Sequence, residues 1–575
     1  MASLRSLPWR HRGKLGIGIV YLASLAFLWW RLPPAPRFVI SSDLNSRVLG
    51  VSPDGALLAL ARDGQLQLWS LVTGRKTDGW AVPDLSVEHL VFTPDGKRLV
   101  TNNFGRDGTS PHVARIYRVG SAELEAELPL KESADFRQYR REPRSLLLSP
   151  DGQSLAYLGR KEGPDSARDD LFVKVWDTSQ AREKVVLGDP EVHGWSPPLA
   201  FSSDGRFLAV GDEPAQKGVL PRVRIWEMAT GRPAHTLTLP RMIPEVAEYN
   251  HGCVALAFAH DRRSLIGFVS SSSAGARPTL LRWDLATGTL RDSLDWQRDW
   301  HSPGASVALH LAREDRQILI QGLEGLQTAD LCDLAGPGLR MQKEFLLSPP
   351  LLNRRGTHLA MAPPSLGSGP FGLRMPGEVI EPSRVLLLDV SNAKDEKEVC
   401  RCSSLDSGVL HPLAFSADDR YLAVNVHYWL LGEPWYKPAL KWLLDADNGV
   451  HIFEVASSRR VARLPGTPGT EVIFAPGSRS LITCVPAFYP MATGPNGKPL
   501  IPEGDFPIRV YDDSPRPPVL AILSWSLLPT AGVILLGVLL RLARSWRRRG
   551  RTPDGASAGS IGPDRGPIVE NSPVA

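Results

Sequence analysis

The sequence predicts an all-β chain in which a repeated four-stranded unit closes into a ring between two apolar segments. Three observations predict it. A Ser-Pro-Asp-Gly-like turn recurs through the middle of the chain, an alternating strand ending in an aromatic residue follows each turn, and an uncharged apolar run lies near each end. Composition agrees, because 51 Gly and 50 Pro in 575 residues suit frequent turns and few long interior helices.

From the N-terminus, residues 1–14 hold Arg5, Arg10, Arg12 and Lys14 with no acid, a charge of +4. The run Leu15 to Trp30, LGIGIVYLASLAFLWW, follows. As a helix it covers roughly 24 Å of the roughly 30 Å hydrocarbon layer. Lys14 and Arg31 can snorkel from its ends, and Trp29 and Trp30 suit an interface. Residues 15–31 are therefore predicted to be a transmembrane helix or signal anchor. A cleaved secretory signal has the same outline, but the exit WWRLPPAPRF lacks an A-x-A pair, which favours an uncleaved anchor.

The repeats begin at Ser52-Pro53-Asp54-Gly55, followed by LLALA and by LQLWS around Trp69. Thr93-Pro94-Asp95-Gly96 leads to ARIYR, Ser149-Pro150-Asp151-Gly152 to VKVWD, and Ser202-Ser203-Asp204-Gly205 to VRIWE. The later copies drift: Ala259-His260-Asp261-Arg262 with LLRWD, Ser416-Ala417-Asp418-Asp419 with VHIFE, and Ala475-Pro476-Gly477-Ser478 with IRVYD. Two units are degraded, one around Asp315 (LAREDRQILI) and one around Gly356 (NRRGTHLAMA). Proline fixes φ, aspartate accepts hydrogen bonds from nearby backbone, and glycine supplies the positive φ of a tight hairpin. In VKVWD and VRIWE, Val173, Val175, Val223 and Ile225 alternate with charged or aromatic residues, as in a sheet packed between neighbours. A single four-stranded sheet cannot bury both faces, whereas sheets stacked around an axis can, and the ring closes when the last meets the first. Asp54, Asp95, Asp151 and Asp204 are thus read as hairpin residues, and Trp69, Trp176, Trp226 and Trp283 as packing between units.

Thr73-Gly74-Arg75, Thr230-Gly231-Arg232 and Thr287-Gly288 add a turn after the aromatic strand. With them, the pattern over most of residues 38–512 resembles the WD40-repeat β-propeller family, in bacterial, membrane-anchored form with divergent repeats. The resemblance implies a propeller of about eight four-stranded blades, with seven to nine possible, flanked by two transmembrane helices. The chain departs from the family in lacking the regular Gly-His dipeptide, so a repeated His-linked network is not implied. Its turns also lie about 40 to 65 residues apart, looser than the family's usual spacing.

After the repeats, Val519 to Leu540 is long enough to cross a bilayer, carries no charge, and contains Pro529, which predicts a kink. RLARSWRRRGR follows, a basic cluster that stays on the cytoplasmic side. With two crossings, both termini are cytoplasmic and the repeats extracytoplasmic, in a bacterial inner membrane. The tail 541–575 is basic and then, from Thr552 on, rich in Gly, Ser, Pro and Asp, a composition that predicts disorder there. The overall charge of +5 therefore sits at the ends around a slightly acidic body, which argues for lipid and against nucleic acid as a partner.

Extra length falls between the second and third strands, at 102–112, 159–170, 211–222, 270–278, 427–448 and 485–507. In the resembled family these loops share the face of the links between blades, so one elaborated face is expected to bind. Its sharpest candidates are Tyr428, Trp429, Trp435, Tyr436 and Trp442, with Phe488 and Tyr489 in the last loop, since clustered aromatics make binding hot spots. The plain alternative is a loop that buries them or rests on the bilayer. Chemistry is scarce. There is no G-x-S-x-G, H-E-x-x-H, P-loop or dinucleotide fingerprint. His251, His260, His301 and His310 lack ligand spacing, and Cys400-x-Cys402 is the lone pair that a strand would place on one face. The reading is a non-catalytic protein-interaction scaffold with no cofactor or metal, whose looped face takes a protein or an envelope polymer. Two alternatives are a quinoprotein-like oxidoreductase, suggested by WSLVTGRKTDGW from Trp69 to Trp80, and a ligand sensor signalling through the C-terminal span.

Overall fold

The computed structural model divides into two compact units, Pro33–Arg516 and a second formed by Met1–Leu32 with Pro517–Ala575. It describes two helices and the strands with their tight turns. Residues 1–8, 106–112, 130–145, 162–169, 188–197, 213–221, 240–250, 272–277, 296–306, 363–383, 430–448, 486–506, 513–518 and 550–575, with shorter stretches between strands, lie outside the described residues.

Among the described residues the larger unit is nine four-stranded antiparallel sheets and no helix. Eight sheets are consecutive in the chain, spanning 47–81, 85–129, 146–187, 199–238, 251–295, 307–346, 351–401 and 407–464. The ninth combines Glu471–Phe474, Ser480–Cys484 and Ile508–Asp512 with the earliest strand, Phe38–Ile40. Nine sheets lie at the upper end of the expected seven to nine, one more than the central count of eight. Both degraded units fold into sheets of their own, the sixth and the seventh.

Burial shows how the sheets support one another. Each of nine apolar clusters joins two successive sheets. Ala59 and Leu68 of the first meet Leu90 and Leu99 of the second, for example. The cycle closes where Ile40, Ile482 and Val510 of the ninth sheet pack on Leu58 and Leu60 of the first. First strands of neighbouring sheets meet, as Ser407–Phe415 meets Glu471–Phe474, so they form the inside of a propeller-like cycle with the fourth strands at its rim. Middle strands are consequently covered on both faces. Thr279–Asp284 is buried along five of its six residues, Arg282 included. In seven sheets the third strand carries a register shift immediately before the Trp-position residue, as at Leu68/Trp69, Ile225/Trp226 and Ile452/Phe453. Such bulges sharpen local twist.

Glycine is required where the turns touch. Gly55, Gly96, Gly152 and Gly205 have φ near +70°, and Arg262 and Asp419 occupy the same turn position at +60° and +62°. A Cβ on Gly152 would lie 2.4 Å from Cδ of Pro94 in the preceding sheet, whereas one on Gly96 meets nothing within 4 Å. Both substitutions to alanine incur the left-handed backbone cost, about 1–2 kcal/mol. Only Gly152→Ala adds a clash with a rigid ring. Thermal unfolding of the two variants is expected to rank Gly152→Ala clearly below Gly96→Ala.

The smaller unit holds the helices Trp9–Arg31 and Val519–Arg549, which contact each other. Ile522, Ser526 and Thr530 form the buried stripe of the longer helix, and nearly all its other apolar residues are exposed. One helix among the described residues, over Ile522–Trp546, is long and apolar enough to cross a membrane. The N-terminal helix is not. Among its described residues the apolar stretch is Gly16–Leu28, about 20 Å long. The expectation of two spans is thus reduced to one candidate. The longer helix also runs on to Arg549, through most of the basic cluster, since Arg, Leu and Ala are good helix formers. It continues across Pro529, beside which Thr530 Oγ1 donates to the Ser526 carbonyl at 3.0 Å.

Candidate interaction face

Antiparallel order places the connections between strands one and two, and three and four, on one side of each sheet. The connection between strands two and three, and the link to the next sheet, lie on the other. Hydrogen bonds fix the first side. The residue after each third strand donates to the carbonyl that follows the first turn: Leu71 to Ala56 at 2.8 Å, Val119 to Lys97 at 2.9 Å, Met228 to Arg206 at 2.8 Å, Val455 to Arg420 at 2.8 Å. Turns of adjacent sheets touch as well, with Arg262 3.4 Å from Asp204 and the Arg354 amide donating to Asp419 at 3.1 Å. This side is a continuous arrangement of short turns.

Each turn is built as the sequence suggests. Ser52 Oγ donates to Asp54 Oδ1 at 2.5 Å, the Ala56 amide donates to the same oxygen at 3.0 Å, and the Leu57 amide donates to Ser52 Oγ at 2.9 Å. The pattern repeats at Thr93 and Asp95, Ser149 and Asp151, Ser202 and Asp204, and Ser416 and Asp418. Bonds from the hydroxyl and then the amide hold the Asp54 and Asp95 carboxyls below the usual carboxylate range. These carboxylates are acceptors within their own turns. The four tryptophans likewise pack between sheets: Trp69 between the ninth and first, Trp176 between the second and third, Trp226 between the third and fourth, and Trp283 between the fourth and fifth.

The opposite side carries the length. Long connections separate the second and third strands of seven sheets, including one from Met361 to Arg384 in the seventh that the sequence reading did not single out. The other six were expected, although the strands reach further into them. The strand Tyr421–Trp429 pairs to its end with the strand Ser407–Phe415. Tyr428 and Trp429 are therefore strand residues, opposite Gly408 and Ser407, and not loop residues. The reason is the first strand of that sheet, which begins early enough to keep pairing. Trp435, Tyr436, Trp442, Phe488 and Tyr489 lie outside the described residues.

On the inner strands, sequence reasoning missed two groups. His411 and Glu471 reach solvent yet are closely surrounded, as expected on an inner wall. Burial holds the His411 imidazole below its usual value, and burial raises the Glu471 carboxyl while Arg47 opposes it. A signal was present: Arg47 and His411 each precede the turn serine by five residues, Ser52 and Ser416 respectively. Glu471 pairs with Cys484, whose thiol is pushed up to about 12 by burial and then by that carboxylate, which makes it a poor nucleophile. Cys332 is buried and Cys400 half-buried, and Cys402 lies outside the described residues. Among the described residues no three His, Cys, Asp or Glu side chains are grouped to hold a metal. His251, His260 and His310 belong to a strand end, a turn and another sheet, and His301 lies outside the described residues.

No family model matches the chain. No curated protein matches it either. Among solved structures it is similar to one titled "Crystal structure of the eukaryotic initiation factor", at 14% identity and a TM-score of 0.45, over 76% of this chain and 92% of that one. A likeness at that level carries no functional argument.

Proposed function

We propose that the chain is a membrane-anchored WD-repeat propeller that acts as a non-catalytic scaffold, its looped side recruiting a protein or an envelope polymer outside the cytoplasm. The observation that carries this reading is the division of the ring into one side of tight turns and one side from which seven long connections start and to which they return. Loops placed on a rigid frame are the usual seat of recognition. The turn carboxylates accept bonds from their own hairpins, and the described Cys484 thiol is held protonated, which supports a binding role over covalent catalysis. Anchoring rests on the helix over Ile522–Trp546 and on the arginines that follow it.

Photo-crosslinking residues introduced singly at 163, 217 and 275 on the looped side, and at Val186 and Val461 on the exposed rim, test the reading in living cells. The expected result is a discrete adduct from the looped positions, digestible by protease added outside intact cells, and none from the rim. Adducts that form equally at both sets, or that external protease cannot reach, would overturn it.

A further inference from the structure

Three first turns that depart from Ser-Pro-Asp-Gly belong to neighbours in the ring, the fifth, sixth and seventh sheets, and they depart toward arginine. They read AHDRRS from Ala259, AREDRQ from Ala312 and NRRGTH from Asn353, and together carry a formal charge of +3, whereas the same six positions in the other six sheets sum to −1. Residues 313–315 lie outside the described residues. The hairpins are kept. Arg262 takes the glycine position at φ +60°, a conformation that a residue with a Cβ disfavours. Arg355 takes the aspartate position, and Asn353 supplies what a serine and an aspartate supply elsewhere. Its Oδ1 accepts from the Thr357 amide at 2.7 Å and the His358 amide at 2.9 Å, while its Nδ2 donates to Thr357 Oγ1 at 2.9 Å.

Pairing sets this arc apart. In the fourth and eighth sheets the basic residue that ends the turn, Arg206 or Arg420, lies 2.9 or 3.4 Å from the glutamate that ends the third strand, Glu227 or Glu454. Arg263 and Arg316 hold the same position in the fifth and sixth sheets. The fifth has the shorter Asp284 there, which accepts instead from the amides of Ala286 and Thr287. The Arg263, Arg316 and Arg354 side chains are exposed and have no hydrogen-bond or ion-pair partner among the described residues. At the two ends of the arc, Arg262 reaches Asp204 of the fourth sheet at 3.4 Å and Arg355 reaches Asp419 of the eighth at 3.5 Å, yet these two arginines stay 64% and 73% exposed.

Guanidinium forks match carboxylates, and a single exposed pair contributes little, so a partner has to engage several at once. The exposed Asp261 inside the arc, and Asp284 in the other short turn of the same sheet, repel a polymer with a negative charge on every unit and leave room for a chain whose carboxylates are spaced apart. We propose that the first turns of the fifth, sixth and seventh sheets form a second docking surface, which takes an extended acidic segment of a partner protein. This surface lies on the short-turn side, apart from the looped side proposed above, and neither assignment rests on the other.

The test uses the full chain in detergent and a fluorescent twelve-residue peptide with glutamate at every second position, followed by anisotropy. The same peptide with glutamine is the control ligand, and inorganic polyphosphate of similar length is the competitor. The parent is expected to bind the glutamate peptide and not the glutamine one, less tightly as salt rises from about 50 to about 300 mM. Arg263→Gln, Arg316→Gln and Arg354→Gln together should weaken binding about tenfold, as three weak pairs add up, and each alone about twofold. The single variants carry the test if the triple one is unstable by thermal unfolding. Removing the same charge from other exposed short-turn positions, with Arg75→Gln, Arg232→Gln and Arg459→Gln, should leave the affinity within about twofold. Equal weakening by the two triple variants, equal binding of both peptides, or no binding of either would overturn the surface. Polyphosphate that binds tighter than the peptide and is released by the same triple variant would overturn the acidic segment as its occupant.

Discussion

Ile40→Asp is expected to open the ring. Ile40 is 1% exposed between the ninth and first sheets, against Leu58, Leu60, Ile482 and Val510. Losing a buried isoleucine costs about 2–5 kcal/mol, and placing an unpaired carboxylate in the same cavity adds to that. The strand Phe38–Ile40 has three residues and one pairing partner, so a loss of this size exceeds what its ladder can hold. Val39→Asp is the control. Val39, on the same strand, is 51% exposed, and its replacement should stay within about 0.5 kcal/mol. Limited proteolysis reads the difference: Ile40→Asp should be cut between Arg31 and Arg47 at protease levels that spare the parent and Val39→Asp. Amide exchange should accelerate in Ile508–Asp512. Equal behaviour of the two variants would mean that closure does not depend on this strand.

Asp292→Ala should destabilise the fifth sheet almost as strongly, by about 3–5 kcal/mol, because it leaves a buried guanidinium unpaired. The Arg282 and Asp292 side chains are 7% and 12% exposed. They face each other across adjacent strands with Nε donating to Oδ2 at 2.8 Å and Nη2 donating to the same oxygen, while Nη1 donates to the Leu334 carbonyl of the sixth sheet at 2.5 Å. Charge burial, not charge pairing as such, sets the scale. The pair of Arg206 and Glu227 is 61% and 27% exposed, and Glu227→Ala should lower the melting temperature far less than Asp292→Ala does. The double variant Arg282→Met with Asp292→Leu removes both charges and should recover most of the loss. Thermal unfolding monitored by tryptophan fluorescence checks the series, with Trp283 beside the pair as reporter. A double variant no better than Asp292→Ala would show that the packing, and not the unpaired charge, is responsible.

Much of the β unit was legible because its signals are local. A serine or threonine, an aspartate two residues on and a glycine after it make a hairpin from their own hydrogen bonds, whatever surrounds them. Even the sixth unit, which lacks those residues, kept the two apolar strands that pair as 307–312 and 317–322. The apolar residue that follows each third strand, such as Leu71, Met228 or Val390, was also in view as the third letter of WSL, WEM and LDV, although its role needed the hydrogen bond to be seen.

Other features had no local signal. Arg282 sits in LLRWD where alternation reads as an outward residue, yet it is buried, because a middle strand of a closed ring has neighbours on both faces. Tyr428 and Trp429 read as loop because nothing in their own segment announces a partner strand beginning at Ser407.

By itself the sequence determined the repeat, the hairpin chemistry and the class of fold, since those follow from hydrogen bonds and side-chain alternation within a few residues. Only the tertiary structure decided that there are nine sheets and that the earliest strand completes the last sheet. Those depend on which surfaces meet between segments nearly 500 residues apart, and burial between distant partners is not written in either partner alone.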